Sequence, residues 1–226
     1  MRGIILAGGK GTRLQPATYT MNKHMVPVLN TPMITYPLNT LKNMGITDIL
    51  IVSGGNHIGM IAEYLGDGSS FGVKLTYKVQ KEAGGIAQAL ALAEDFVDGK
   101  FVVLLGDNVF GSAVWVPQNC GIVVKSVKDP QRFGVYHNKE IIEKPANPQS
   151  DKAVLGMYFY TPEVFAFIKE LQPSARGELE ITDVNNWCLK NLDTTVIDYS
   201  GFWSDAGTPG SLKDVTDWVW NNRAHI

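Results

Sequence analysis

The sequence predicts an α/β fold with a mostly parallel central sheet and helices on both of its faces. Three observations carry that expectation. Ile4-Ile5-Leu6-Ala7, Ile49-Leu50-Ile51-Val52 and Phe101-Val102-Val103-Leu104-Leu105 are short, unbroken apolar runs, as strands buried on both faces read. A loop and then a helical pattern follow the early strands, and repeated βα units build parallel sheets with right-handed crossovers. The chain has 226 residues, 45% of them hydrophobic and 19% charged, enough for one substantial core.

Taken in order, residues 3–7 are the first strand, and a loop runs from Gly8 to about Asn30. Ile34, Leu38, Leu41 and Met44 keep near-helical spacing over 32–44, with Gly45 as the stop. Residues 48–53 are the second strand, Gly54-Gly55-Asn56 a turn, and 57–65 a helix ended by Gly66. Residues 73–79 alternate in places as a strand does. Gly84-Gly85 opens an alanine-rich helix over 86–95, and the strand 101–105 stops at Gly106-Asp107-Asn108. Ligands of such sheets sit beyond the carboxyl ends of the strands, so stretches 8–13, 80–85 and 106–108 are expected to converge. The second half reads as shorter strands at 120–127, 133–136, 139–142 and 153–160, helices at 162–170 and 180–191, and a strand at 194–199. A loop over 201–209 and a helix over about 209–222 complete it. The whole is expected to be one domain over 1–226, Rossmann-like to about residue 110 and smaller and β-rich over about 111–226.

A net charge of −2 gives no global attraction for nucleic acid, so any phosphate-binding charge must be local. Cys120 and Cys188 lie far apart in sequence and in no metal spacing, which reads as two free thiols in a reducing compartment. His24, His57, His137 and His225 form no zinc pattern. The first apolar run is too short for a signal peptide or a membrane span, so a cytoplasmic protein is expected. Trp115, Trp218 and Trp220 fit either an interface of a homo-oligomer or core packing.

Gly8-Gly9-Lys10-Gly11-Thr12-Arg13-Leu14 follows the first strand at once. It lacks the spacing of a Walker A loop, and the third glycine of a dinucleotide fingerprint is missing. Glycines beside Lys10, Arg13 and Lys23 point instead to main-chain N–H groups wrapped around phosphates. Asp107 ends a buried strand, as a carboxylate holding Mg²⁺ over a nucleotide does, or as a plain Asx turn does. Asp205 in Trp203-Ser204-Asp205-Ala206-Gly207-Thr208 is its natural partner. Glu143-Lys144-Pro145 is either a ligand-binding pair or a solvated charge pair before a turn, with the proline fixing the backbone before it. Gln80 with Gly84-Gly85 fits a base edge and a flat ring, or simply a helix start.

Together these stretches resemble the sugar-1-phosphate nucleotidyltransferases. The resemblance extends through Pro32-Met33-Ile34-Thr35-Tyr36-Pro37-Leu38 and the run Pro173 to Asp183, in order over nearly the whole chain. Tyr77-Lys78-Val79-Gln80 followed by Gly85-Ile86-Ala87-Gln88-Ala89 is most similar to the members that use dTTP and glucose 1-phosphate. The resemblance implies an Mg²⁺-dependent transfer giving dTDP-glucose and pyrophosphate. UTP or another nucleotide or sugar, or an inactive nucleotide-sugar-binding regulator, stand as alternatives. It implies catalytic roles for Arg13, Lys23, Asp107 and Lys144, and nucleotide contacts from Leu6, Gly8, Gly9, Gly11, Thr12, Gln80 and Gly85. Asn108, Glu143, Lys144 and Gly156 would bind the sugar, with Lys144 and Glu143 holding its phosphate and hydroxyls, and Asp107 and Asp205 would hold the Mg²⁺. His24 stands where the dTTP users usually have glutamine, and the chain ends soon after Asp205, so a short form of the family is expected.

Overall fold

The computed structural model describes residues 1–55 and 57–222. Asn56, the end of the expected turn at 54–56, and His225 lie outside the described residues. In chain order the elements are β1 (Arg2–Ala7), β2 (Pro27–Val28), β3 (Thr31–Pro32), α1 (Thr35–Asn43), β4 (Asp48–Gly54), α2 (Ile58–Leu65) and β5 (Lys74–Gln80). Then come α3 (Ile86–Ala91), β6 (Phe101–Leu105), β7 (Asn108–Phe110), β8 (Cys120–Ser126), β9 (Gly134–His137), β10 (Glu140–Glu143) and β11 (Lys152–Tyr160). The last are α4 (Val164–Ile168), α5 (Ile181–Asn191), β12 (Thr194–Asp198), β13 (Trp203–Asp205) and α6 (Pro209–Asn222).

The chain divides into two compact units. The first holds Gly3–Ala83, Leu104–Ala113 and the chain from Gly201 onward; the second holds Met1–Arg2, Gly84–Val103 and Val114–Ser200. The units interleave in sequence, whereas the expected parts, to about 110 and beyond, are contiguous.

In the first unit β1, β4 and β5 run parallel, in register from Gly3↔Ile49 to Ala7↔Ser53 and from Asp48↔Lys74 to Gly54↔Gln80. The apolar runs are the reason: Ile4, Ile5 and Ile49–Val52 are fully buried, and each such side chain contributes about 1.5–3 kcal/mol on leaving water. The end of β6 continues this arrangement, since the Gly106 N–H donates to the Leu6 carbonyl at 2.9 Å. Helix α1 turns Leu38 and Leu41 inward, and α2 packs on β4 and β5.

In the second unit β11 pairs antiparallel with β8 and β9, β9 with β10, and β12 runs parallel to β8. The β11–β8 register shifts between Val154 and Tyr158, a bulge that contains Gly156. Cys120 and Cys188, apart in sequence, meet here as buried thiols outside any disulfide. A hydrogen bond from Cys188 lowers the Cys120 thiol, which also lies 3.6 Å from the Thr161 hydroxyl.

Several elements differ from the sequence reading. The expected 86–95 helix ends at Ala91, because the chain tightens into i→i+3 turns through Ala93 and Phe96. The loop expected over 8–30 contains β2 and short 3₁₀ turns at Thr12–Leu14, Ala17–Tyr19 and Lys23–Met25. The loop expected over 201–209 contains β13, which pairs antiparallel with β7. Trp218 stacks on Phe202 with centroids 4.5 Å apart, so it is half-buried packing; Trp115 and Trp220 are exposed. Among the described residues no helix is long and apolar enough to cross a membrane.

The turn carrying Lys23 is held by its neighbours. Asn22 Oδ1 caps it by accepting from the His24 backbone N–H at 2.8 Å, and lies 2.7 Å from His24 Nδ1. An oxygen that accepts one N–H accepts the other, so Nδ1 carries the proton. Burial, and then the charge of Lys23, push His24 down to about 3. The imidazole is therefore neutral when folded and near 6.5 when unfolded. The unfolded chain binds the extra proton between those values, so this stability is full above about pH 6.5 and is lost as pH falls toward 3. We expect urea melts in chelator to show this group removing about 2 kcal/mol between pH 7 and pH 5, and His24→Gln to abolish that part of the slope.

Gly85 carries a second expectation. Its φ is +103, and a Cβ there would lie 2.4 Å from the Leu179 carbonyl oxygen and 2.7 Å from the Leu179 nitrogen. Backbone cannot move aside as a side chain does, since Leu179 N–H already donates to the Gly84 carbonyl at 2.8 Å. Gly85→Ala is expected to lower the unfolding free energy by about 1–3 kcal/mol from backbone strain alone, read by chemical denaturation.

Candidate active site

In the first unit the glycine loop is built around the path of one lysine. Gly11 has φ +68, a conformation glycine adopts without penalty. A Cβ on Gly11 would lie 2.6 Å from Lys23 Cβ, and one on Gly9 would lie 3.1 Å from Lys23 Cε. The missing side chains let the lysine stem pass along the loop. Its ammonium then reaches Asp107 Oδ2 at 2.5 Å. Gly8 gives close approach to Gln80 in the same way, since a Cβ there would meet Gln80 Oε1 at 2.4 Å. Thus Gln80, at the end of β5, lies against the start of the loop at the end of β1.

Asp107 and Asp205 are far apart in sequence and are joined by the β7–β13 ladder. The register pairs Asp205 with Asn108, and the Ala206 N–H donates to the Asp107 carbonyl at 2.7 Å. Gly207 follows. A Cβ on Gly207 would lie 3.3 Å from Asp107 Oδ2, 3.4 Å from Asp205 Oδ2 and 3.2 Å from Arg13 NH2. Two carboxylate oxygens and a guanidinium therefore face one point that the absent side chain leaves open.

Burial works against a charged Asp107, which is only 8% exposed. The Lys23 ammonium overrides it, with help from the Asn108 amide, and holds the carboxyl well below the usual carboxylate range. Each oxygen has its own donor: Asn108 Nδ2 on Oδ1 at 2.8 Å, Lys23 Nζ on Oδ2. Asn108 Oδ1 accepts in turn from the indole Nε1–H of Trp203 at 2.7 Å.

The second unit gathers a separate charged cluster. Glu143, at the end of β10, accepts from the Thr182 hydroxyl on Oε2 at 2.6 Å, and its Oε1 lies 3.2 Å from Lys144 Nζ and 3.4 Å from Arg176 NH2. Arg176 also pairs with Glu180 at 2.6 Å, and Ser174 donates to the same carboxylate. Burial, with the charges of Glu180 and Glu143, raises Asp183. Lys144 departs from the sequence expectation. The residue before a proline is pushed toward extended backbone, yet Lys144 has φ +44. Its N–H donates to the Phe133 carbonyl at 3.0 Å, which anchors the left-handed turn. A non-glycine residue held there stores roughly 1–3 kcal/mol of strain, a pattern that clusters at ligand clamps.

The first unit brings together Gly8, Gly9, Gly11, Arg13, Lys23, Gln80, Asp107, Asn108 and Asp205. Leu6 adds a main-chain bond to Gly106, and Thr12 opens the exposed turn that carries Arg13. Glu143 and Lys144 meet in the second unit, where Gly156 lies in the β11 bulge and Gly85 contacts Leu179. The sequence reading gave no role to Arg176, Thr182, Trp203 or Gly207. All four lie in stretches it quoted, or at their edges, where no spacing singles them out. Among the described residues no three metal-ligating side chains form a closed site. A pair of hard oxygen donors beside open space suits Mg²⁺, which keeps water and phosphate ligands.

A nucleotidyl transferase family model matches residues 2–221. The chain is 41% identical to a glucose-1-phosphate thymidylyltransferase of Neisseria gonorrhoeae, over 97% of this chain and 82% of that protein. A crystal structure from Bacillus anthracis, provisionally assigned as a glucose-1-phosphate thymidylyltransferase and holding a sucrose, is 49% identical with a TM-score of 0.90, covering 96% of this chain and 94% of its own. A UDP-glucose pyrophosphorylase complexed with UDP-glucose shares the fold, with a TM-score of 0.86 at 22% identity over 98% of this chain and 99% of its own. With residues 2–221 matched and an α/β fold of the same kind, the chain belongs to the nucleotidyl transferase family.

Proposed function

We propose that this protein transfers a thymidylyl group from dTTP to glucose 1-phosphate, giving dTDP-glucose and pyrophosphate. The observation that carries the chemistry is the point above Gly207, faced by Asp107, Asp205 and Arg13. The choice of nucleotide and sugar is supported by the thymidylyltransferases at 41% and 39% identity over nearly the full chain.

In this reaction an oxygen of glucose 1-phosphate forms a bond to the α-phosphorus of dTTP, and the bond to pyrophosphate breaks. The nucleophile is already anionic near neutral pH, so no general base is required. Catalysis is alignment and charge stabilisation. The backbone of Gly8, Gly9 and Gly11 holds the triphosphate, and Gln80 reads the base. Arg13 and Lys23 stabilise charge at the α-phosphate and on the departing pyrophosphate. Asp107 and Asp205 would hold Mg²⁺, which when bound neutralises phosphate charge. Asp107 is kept ionised for that task by Lys23, whose ammonium covers the same oxygen. In the second unit Glu143 offers a fixed acceptor for sugar hydroxyls, while Lys144 supplies positive charge for the sugar phosphate. Leu6, Thr12, Gly85, Asn108 and Gly156 complete the nucleotide and sugar contacts. Two buried thiols outside any disulfide support a reducing, cytoplasmic setting.

A matrix of the nucleoside triphosphates against several sugar 1-phosphates, read by pyrophosphate release, tests the assignment. Release is expected to be fastest with dTTP and glucose 1-phosphate; a faster reaction with UTP overturns the nucleotide choice. Arg13→Ala should lower kcat by about 10²–10³-fold, the loss typical of one transition-state donor. Near-normal turnover in that variant removes Arg13 from the chemistry. Asp107→Asn should abolish Mg²⁺-dependent release, and an unchanged Mg²⁺ titration would leave Asp107 as a turn residue only.

A further inference from the structure

We infer that Trp203 is a positioning residue for Asp107, acting through the side-chain amide of Asn108. The inference rests on the proposed role of Asp107 and Asp205 in holding a divalent cation. It concerns what aims that carboxylate.

The geometry is a one-way chain of hydrogen bonds. An indole Nε1–H donates and never accepts. It lies 2.7 Å from Asn108 Oδ1, so it fixes which end of the amide faces the tryptophan. The nitrogen end is thereby turned to Asp107, where Nδ2 donates to Oδ1 at 2.8 Å. Asp107 Oδ1 is tethered, which leaves Oδ2 directed to Lys23 and to the open point above Gly207. Were the amide to rotate by half a turn, its oxygen would face a buried carboxylate oxygen, two acceptors in contact. The carboxylate on one side and the Trp203 donor on the other both hold the amide against that rotation.

The β7–β13 ladder makes this possible. Trp203 pairs with Phe110 and Asp205 with Asn108, so Trp203 and Asn108 are diagonal neighbours on one face. Diagonal pairs are within reach of aromatic and long side chains. One three-residue strand thus delivers Asp205 directly and aims Asp107 indirectly, through the residue two places before it. Asn108 is only 2% exposed, which suits an internal tether.

The test measures Mn²⁺ binding by electron paramagnetic resonance on the full chain with dTTP, together with dTTP binding by calorimetry in excess chelator. Trp203→Phe keeps an aromatic ring and removes the N–H. It should weaken Mn²⁺ binding about tenfold and leave metal-free dTTP affinity within about twofold, a split that general loosening of the fold would not produce. Asn108→Ala, which leaves the indole in place, should weaken Mn²⁺ binding to a similar extent and keeps the test alive if Trp203→Phe does not fold. In the Asn108→Ala background, Trp203→Phe should add less than about twofold, because contacts acting in series are not additive. Wild-type Mn²⁺ affinity in Trp203→Phe, or an equal tenfold loss in both backgrounds, overturns the relay. Wild-type protein that binds dTTP yet no Mn²⁺ overturns the cation-site reading itself.

Discussion

The site in the first unit depends on a buried ion pair between Lys23 and Asp107. Taking two charges out of water is costly, and their attraction offsets that cost only with good geometry and further hydrogen bonds. Both conditions hold. The ammonium meets Oδ2 at 2.5 Å, and the other oxygen has the Asn108 amide. The ring beside the lysine adds no charge of its own. His24 lies next to Lys23 in the chain, and burial and the lysine charge keep its imidazole neutral. A Cβ on Gly106 would be 2.7 Å from that ring, so the end of β6 and the lysine-bearing turn are closely fitted. The result is a carboxylate that stays ionised although water scarcely reaches it.

This explains how a chain with net charge −2 serves two phosphate substrates. Bringing two anions together requires positive charge at the reacting atoms, not over the whole surface. In the proposed reaction Arg13 and Lys23 would supply it from the loop after β1, which also carries Lys10. The second unit has the opposite balance. Glu143, Glu178 and Glu180 surround Arg176, with Lys144 beside Glu143. On the proposed reading the fixed carboxylates would suit the hydroxyl groups of a sugar, and the two cations would offset the cluster's repulsion of the phosphate. Thr182 holds Glu143 by its second oxygen, so the acceptor is placed before any ligand arrives.

Much of this was legible in the sequence, and what was not has a physical reason. The buried parallel strands announce themselves, because a strand covered on both faces must be apolar without alternation. The α/β class followed from them. Asp107 could be found because it ends such a strand. The β7–β13 ladder could not, since three residues carry no periodicity and Trp203-Ser204-Asp205 reads like any loop. The same holds for β2, which begins with a proline. Lys144 ran against its local rule: the proline after it favours extended backbone, and a tertiary hydrogen bond to Phe133 imposes φ +44 instead. Asn108 was read as a sugar contact from its motif. Its bonds to Trp203 and Asp107 become visible only when the ladder aligns them.

The glycines show most clearly how the structure adds a second cause to a sequence reading. Adjacent glycines in a basic loop point to exposed N–H groups that receive phosphate, and that argument needs only the loop itself. The structure adds side chains arriving from elsewhere. Gly8 makes room for Gln80, Gly9 and Gly11 for Lys23, Gly106 for His24, and Gly207 for Arg13, Asp107 and Asp205. Each Cβ on these residues would lie between 2.4 and 3.2 Å from its nearest such neighbour. Glycine here is therefore a record of where functional side chains pass. A substitution such as Gly9→Ala acts first on the lysine, whose Cε would lie 3.1 Å from the new Cβ. The loop and the ion pair are one construction: remove the lysine and Gly9 and Gly11 lose the side chain they make room for, add a Cβ at Gly11 and the lysine stem must shift.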